Sequence, residues 1–381
     1  MPTSTELSSA SESIHSLYFH IPFCEAKCHY CDFYSIGREK TPVGAPDRFI
    51  TALRVECELR AAGFDFSHIE TVFFGGGTPT TIDPEKLAWA IEPLKLNSQA
   101  VFEWTCEANP SSVTQEKIAA LRLIGVNRIS MGVQATENPF LKLLGRVHSE
   151  SEARRAIDEV FSAGITNLSV DLLCGVPGQT LKNIESSLSV LTSYPINHLS
   201  CYLLTLAKHH PMAKDLPNEE TQLEHLLFVH QWLASHGFEH YEISNFCKPG
   251  FESKHNLNYW KGRGYLGFGP SAHSFFSSTP KRFKNASSHL FYASELIEKN
   301  RIPIDFEETL SPTDLELEKW MLSLRLASGF PKAWLNTERR QSLANRFITE
   351  KLLESHPNNA LNLRPTPRGF ALSDQLIREL S

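Results

Sequence analysis

At 381 residues, with 41% apolar and 21% charged side chains, the chain is too long for one small core and has the composition of a folded globular protein. A net charge of −6 gives no footprint for nucleic acid, and no apolar run reaches the roughly eighteen residues that a membrane span needs. Peripheral contact with a membrane stays open.

Residues 1–13 are rich in Ser and Glu without an apolar core, which predicts a disordered tail rather than a targeting peptide. A short strand, Leu17–Ile21, then leads into a loop that carries Cys24, Cys28 and Cys31. Thiolates spaced C-x3-C-x2-C in one loop suit three corners of an iron–sulfur cubane. The fourth iron is left open to a ligand that is not protein, as a catalytic metal keeps a free position. A closed zinc site would need a fourth ligand, which His20 or His29 could supply. A disulfide fits poorly with eight cysteines and no secretory signal. Cys57, Cys106, Cys174, Cys201 and Cys247 lack metal spacing and read as small buried hydrophobes. Reduced thiols and a cluster imply the cytoplasm.

Further strands are expected at Thr71–Phe74, Phe102–Cys106, Arg128–Gly132, Asn167–Leu173 and His198–Leu203. Amphipathic helical stretches alternate with them at Asp47–Ala61, Glu85–Leu94, Gln115–Leu123, Glu152–Ala163 and Thr180–Leu191. In the fourth stretch Ala153, Ala156, Ile157, Val160 and Phe161 share one face. Repeated strand–helix units predict an α/β fold, a parallel sheet or barrel with helices outside. Such folds work at the C-terminal ends of their strands. Gly75-Gly76-Gly77-Thr78-Pro79 follows the second strand, where glycines admit a ligand to the backbone and successive N–H groups can hold an anion. Glu107 ends the third, Gln134 the fourth with Arg146 beyond it, and Asp171 lies on the fifth. Alone, the glycines could be a tight turn and Glu107 a helix N-terminal charge. A polar residue at each successive strand end is harder to attribute to packing.

Beyond the sixth strand, Tyr265–Ser274 alternates glycine with apolar residues and suggests a strand or loop near a ligand. The basic run Pro280–Lys284 could meet anionic groups or simply be a solvated loop. From about Asp305 the pattern turns helical, with Ser311–Leu326, Thr337–Glu354 and Gly369–Leu380, the first opened by a capping box at Thr313 and Glu316. This end has no strongly basic face, so DNA binding is not expected.

The cysteine loop resembles the signature of the radical S-adenosylmethionine (SAM) superfamily. The resemblance implies a [4Fe-4S] cluster, SAM chelated to its open iron, and reductive cleavage of SAM to a 5′-deoxyadenosyl radical and methionine. It also implies a partial (β/α)6 barrel. Tyr18-x-His-Ile-Pro-Phe-Cys24, Gly75-Gly-Gly-Thr-Pro79, Glu107-x-Asn-Pro110, Gly132-Val-Gln134 and Asp171-Leu-x-x-Gly-x-Pro177 together resemble the oxygen-independent coproporphyrinogen oxidase group over essentially the whole chain. By that resemblance SAM contacts fall to Tyr18, Tyr30, Gly76, Gly77, Thr78, Glu107, Gln134, Arg146 and Asp171.

In the group's oxidase branch a fourth cysteine stands two places after the third. Here that place is Phe33, so coproporphyrinogen oxidase activity is not expected. Cys31-Asp-Phe33 resembles the heme chaperone branch, as does His255-Asn-x-x-Tyr259, a pattern associated there with heme. Four-residue spacing on a helical turn would put His255 and Tyr259 on one face, and imidazole and phenolate both ligate heme iron. They could equally tie down a loop and pack. The implied partners are heme as cargo, an apo-protein acceptor such as a respiratory cytochrome, and an electron donor. The oxidase itself, or a radical SAM enzyme of another substrate, stays open, because fold and cofactor do not fix the substrate. Leu363–Asp374 resembles the winged-helix-like end of both branches. The expected division is a tail at 1–13, a barrel with its extension at 14–280, and a smaller, mainly helical domain at 281–381.

Overall fold

A computed structural model describes residues 14–97 and 100–381, so the expected tail lies outside the described residues. The chain divides into two compact units.

The first unit runs to residue 169 and adds 254–259 and 263–309. Its parallel strands are β1 (Ile14–Ile21), β2 (Thr71–Gly76), β3 (Glu103–Ala108) and β4 (Arg128–Gln134), paired in that order. Helices fill the connections: α1 (Ala45–Ala61), α2 (Pro84–Ile91) and α3 (Gln115–Leu123), then α4 (Asn138–Leu143) and α5 (Glu150–Ser162) after β4. Their starts are written locally. Asp83 and Thr114 accept first-turn N–H groups of α2 and α3, and Ser149 with Glu152 forms a reciprocal capping box on α5. Phe19 of β1 stacks at 4.7 Å on Phe268 and meets Phe74 at 5.2 Å, all fully buried.

The second unit comprises 170–253, 260–262 and 310–381. β5 (Asn167–Cys174) straddles the division, followed by α6 (Leu181–Thr192), β6 (His198–Leu203) and α7 (Glu219–Ser235). A short hairpin, β7 (Glu239–Glu242) and β8 (Asn245–Cys247), adds antiparallel to β6. The six expected barrel strands are therefore all present. The helices between them agree to within about two residues, apart from the last turn of the second stretch, Glu92–Leu94, which is 3-10.

The chain returns to the first unit through a short helix α8 (Lys254–Trp260) and strand β9 (Gly264–Phe268), which pairs parallel to β1. Antiparallel strands β10 (His273–Phe276), β11 (Lys281–Asn285) and β12 (Ile304–Thr309) extend that edge, with α9 (His289–Lys299) between the last two. This ladder runs past the expected boundary at 280. It also accounts for the basic run: Lys281 pairs with Glu307 (2.8 Å), Arg282 with Glu308 and Lys284 with Asp305 (3.4 Å), each across neighbouring strands. These cations form a cross-strand ion-pair ladder rather than an open anion-binding patch.

The C-terminal part has helices α10 (Pro312–Ser323), α11 (Glu338–Thr349), α12 (Pro367–Ala371) and α13 (Ser373–Leu380) around the buried side chains of Trp320, Phe330 and Phe347. A three-stranded sheet of β13 (Phe330–Pro331), β14 (Leu353–His356) and β15 (Asn359–Pro365) supplies a wing. Two details differ from expectation. The capping box is Ser311 with Asp314, because Pro312 takes the first helical position and leaves Ser311 as the N-cap. The second helix stops at Thr349 instead of Glu354, where Lys351 turns left-handed at φ 58° and starts the wing strand.

Candidate functional site

The cysteine loop leaves β1 and is closed by a two-residue parallel pairing of Phe23–Cys24 with Ile36–Gly37. The Cys31 N–H donates to the Cys28 carbonyl (3.3 Å), and the His29 N–H ties the loop to the Leu144 carbonyl (3.3 Å). Cys24, Cys28 and Cys31 are half-buried, whereas the other five cysteines are fully buried as small apolar groups. Each loop sulfur has a polar neighbour. Arg146 Nη1 donates to Cys28 Sγ (3.4 Å), and Ser35 Oγ lies 3.9 Å from Cys31 Sγ. Burial pushes the Cys24 thiol up, and the Thr78 and Ser35 hydroxyls oppose that shift.

Among the described residues no three His, Cys, Asp or Glu side chains converge on a single metal ion. A cubane does not ask for convergence, since each thiolate holds a different iron. His20 and His29, the alternative zinc ligands, are engaged elsewhere. His20 Nε2 faces the Tyr34 carbonyl (2.7 Å) and Nδ1 the Tyr18 hydroxyl (3.1 Å), while His29 Nδ1 faces the Leu143 carbonyl (3.3 Å). A ring nitrogen against a carbonyl must carry the proton, so His20 Nδ1 accepts from Tyr18. Burial pulls His20 down to about 4, which keeps the ring neutral.

The glycine loop spends its N–H groups within the fold, one of them on a carboxylate. The Gly76 N–H donates to the Glu107 carboxylate (3.0 Å), Gly77 to the Ile21 carbonyl (2.7 Å) and Thr78 to the Phe23 carbonyl (2.8 Å). Gly77 and Thr78 thus lash the loop to the cysteine-bearing segment, and Gly76 ties it to the end of β3. Glycine is required for that approach: a Cβ on Gly77 would sit 2.7 Å from both carbonyl oxygens. Gly77→Ala is expected to cost on the order of 1–3 kcal/mol and to loosen the cysteine loop, read as a lower denaturation midpoint with reduced iron uptake.

Tyr18, Glu107, Tyr30 and Arg146 gather on the same side. The Tyr18 phenol is pushed well up by burial and by the Glu107 charge, and Tyr30 is raised by burial against the pull of Arg146. Gln134 ends β4 at φ 69°, a left-handed conformation. Arg146 Nη2 is held by the Asn109 side chain and the Gly132 carbonyl, and its Nε is buried with no partner among the described residues. A buried donor left over beside half-buried thiols fits a bound anionic group. Asp171 lies on β5 in the second unit.

His255 and Tyr259 do share a face of α8, with His255 Nε2 2.8 Å from the Tyr259 hydroxyl. His255 Nδ1 lies 2.9 Å from Thr71 Oγ1, so both ring nitrogens are engaged and the residue is only 1% exposed. Glu103 accepts the Lys254 and His255 N–H groups at 2.8 Å each, anchoring the start of the helix. The Tyr259 phenol is raised by burial and by Tyr265, Tyr18 and Glu107, which places the pair beside the residues attributed to SAM. Sequence reasoning missed Asn109, Ser35, Thr71 and Glu103. Asn109 stood within the Glu107-x-Asn-Pro110 pattern and could have been singled out as a second polar side chain at that strand end.

Burial gives the chain a predictable acid limb. His20 and His148 are lowered to about 4, and His240 and His255 to about 3, chiefly by desolvation. Below the ordinary value of 6.5 the unfolded chain binds the more protons, so stability falls as pH drops toward those values. Glu242, raised by burial to about 7, acts oppositely between about 4.5 and 7 and offsets one of the four. Each net proton contributes up to about 1.4 kcal/mol per pH unit. Chemical denaturation at pH 7.0, 6.0 and 5.0 should show a loss of several kcal/mol; a flat profile would contradict these assignments.

The radical SAM superfamily's sequence profile matches residues 18–191. The heme chaperone HemW of Bacillus subtilis (strain 168) is 36% identical over 378 residues, covering 95% of this chain and 98% of that protein. HemW of Mycobacterium tuberculosis (strain ATCC 25618 / H37Rv) is 33% identical over 373 residues, 96% of this chain and 94% of its own. HemW of Escherichia coli (strain K12) is 32% identical over 327 residues, 83% and 84% respectively. Among solved structures, the radical SAM enzyme coproporphyrinogen III oxidase (HemN) of Escherichia coli superposes with a TM-score of 0.81 at 21% identity, over 97% of this chain and 90% of that one. That likeness establishes the fold, an α/β radical SAM barrel followed by a smaller C-terminal part rich in helix.

Proposed function

Since the chain belongs to the radical SAM superfamily and, within it, to the heme chaperone HemW family, we propose that it binds heme and passes it to an acceptor protein while retaining a cluster and SAM site. The near-full-length likeness to heme chaperones carries the proposal. Phe33 supports it against porphyrinogen oxidation: where the oxidase branch has a thiol, this chain presents a phenyl ring that is 68% exposed.

Cys24, Cys28 and Cys31 would hold the [4Fe-4S] cluster, which when bound supplies one electron toward SAM. Around it, Tyr18, Tyr30, Gly76, Gly77, Thr78, Glu107, Gln134, Arg146 and Asp171 would bind and orient SAM. Glu107 already pins the glycine loop, so it would hold the loop's carbonyl oxygens in place for an ammonium group. The chain would work in the cytoplasm with an electron donor and a heme-accepting partner, which a respiratory cytochrome would suit. No described helix is long and apolar enough to cross a membrane.

Heme is attributed to His255 and Tyr259. His255 is neutral at physiological pH, as an iron ligand must be, but it can offer Nε2 only by releasing Tyr259. Anaerobic heme titration separates the two roles. His255→Ala should weaken binding at least tenfold. Tyr259→Phe should weaken it likewise if the phenolate is the ligand, and should preserve or tighten it if Tyr259 only holds the imidazole closed. Unchanged binding in both variants would remove α8 as the heme site.

A further inference from the structure

The side chains around the cysteine loop form a continuous hydrogen-bonded chain. Asn109 sits at its centre. Its Oδ1 accepts from Arg146 Nη2, and its Nδ2 donates to Thr78 Oγ1 at 3.1 Å. At one end, Arg146 Nη1 donates to Cys28 Sγ at 3.4 Å while Nη2 is also held by the Gly132 carbonyl. At the other end the Thr78 hydroxyl lies beside the Cys24 thiol, where it opposes the upward push of burial. The chain therefore runs from the Cys28 sulfur to the Thr78 hydroxyl through residues on three different connections: the turn after β2, the turn after β3 and the segment after α4.

We propose that Asn109 is a positioning residue for the cluster, holding the Arg146 fork on Cys28 and the Thr78 hydroxyl on Cys24 so that both cluster sulfurs carry a fixed donor. The inference rests on the cluster assignment above and goes beyond it to what sets the cluster's reduction potential. A donor or cation against a thiolate stabilises the more negative, reduced state, so hydrogen bonds to the sulfurs raise the potential. Arg146 is suited to this because its guanidinium is planar, always charged, and can bond Asn109, Gly132 and Cys28 at once. Without Asn109 the guanidinium keeps its charge but loses one of two anchors, and Thr78 loses the donor that orients its hydroxyl. The same residues border the site attributed to SAM, so a ligand that pulls on Arg146 or Thr78 would shift the potential of the metal centre.

The test is an anaerobic redox titration of cluster-reconstituted full-length protein, with iron and sulfide content measured first and reduction followed by electron paramagnetic resonance. At the wild-type midpoint, Asn109→Ala should show about a tenfold lower ratio of reduced to oxidised cluster, equivalent to about 59 mV for a one-electron couple. Arg146→Lys should shift the same way, and Thr78→Val should shift while Thr78→Ser recovers the wild-type ratio. A variant that merely destabilised the fold would lose iron without moving the midpoint of the clusters that remain. If Asn109→Ala fails to load, the Thr78 pair decides. Fully loaded variants within twofold of the wild-type ratio overturn the proposal. A wild-type chain that takes up no cluster overturns the cluster assignment itself, an outcome that the iron analysis distinguishes from the first.

Discussion

Replacing Cys28 with alanine is expected to abolish cluster uptake, dropping iron from ~4 atoms per chain to near none after anaerobic reconstitution. Three thiols serve a cubane whose fourth iron is open, so no spare protein ligand stands ready to substitute. His29 is the neighbouring candidate in sequence, but its backbone and ring bond the carbonyls of Leu144 and Leu143 and fix it away from a liganding role. Arg146 would in addition lose its sulfur acceptor, leaving a guanidinium donor beside an empty position. Cys24→Ala and Cys31→Ala should behave alike, whereas Cys57→Ala, at a buried site outside the loop, should load normally. Normal iron content in the Cys28 variant would mean that the loop does not hold the cluster.

The second large effect lies away from the cysteines. The Glu56 carboxylate is fully buried and accepts from Arg60 Nε (2.9 Å) and Nη2 (2.8 Å), Asn285 Nδ2 (2.8 Å), the Gly269 N–H (2.8 Å) and the Tyr292 hydroxyl (2.6 Å). Arg60 in turn lies over the rings of Phe268 and Phe283 and reaches the Gly267 carbonyl (3.3 Å). One carboxylate thereby fastens α1, α9, β11 and the turn after β9, where Gly269 (φ 92°) packs against the His20 backbone just before the cysteine loop. Removing one partner of a buried pair strands the other charge, so Glu56→Ala should cost about 3–5 kcal/mol in chemical denaturation. A loss below about 1 kcal/mol would show that water or rearrangement satisfies Arg60.

Much of the fold and the metal site was legible because the constraints are local. The six barrel strands follow from apolar runs between capped helices, and the cysteine spacing follows from the reach of one loop around a cluster. What sequence could not supply is where each polar group spends its hydrogen bonds. The Gly75–Pro79 glycines suggested N–H groups able to hold an anion; Gly76 does meet a carboxylate, that of Glu107, while Gly77 and Thr78 are taken by the Ile21 and Phe23 carbonyls, partners that only the folded chain brings near. The Pro280–Lys284 cations looked free until β12, some twenty-five residues on, aligned its acids with them. His255 and Tyr259 were correctly paired by helical spacing, but no local pattern tells that Thr71 closes the second nitrogen. Asn109 escaped notice because its partners, Thr78 and Arg146, lie on other connections.

The most direct test of the heme chaperone assignment is to put one cluster-reconstituted sample through two anaerobic assays side by side: heme titration, and turnover of coproporphyrinogen III with SAM and a reductant. Stoichiometric heme binding without turnover is the predicted result. Turnover without specific heme binding would contradict it and make the chain an oxidase that acts with Phe33 in the place of a cysteine.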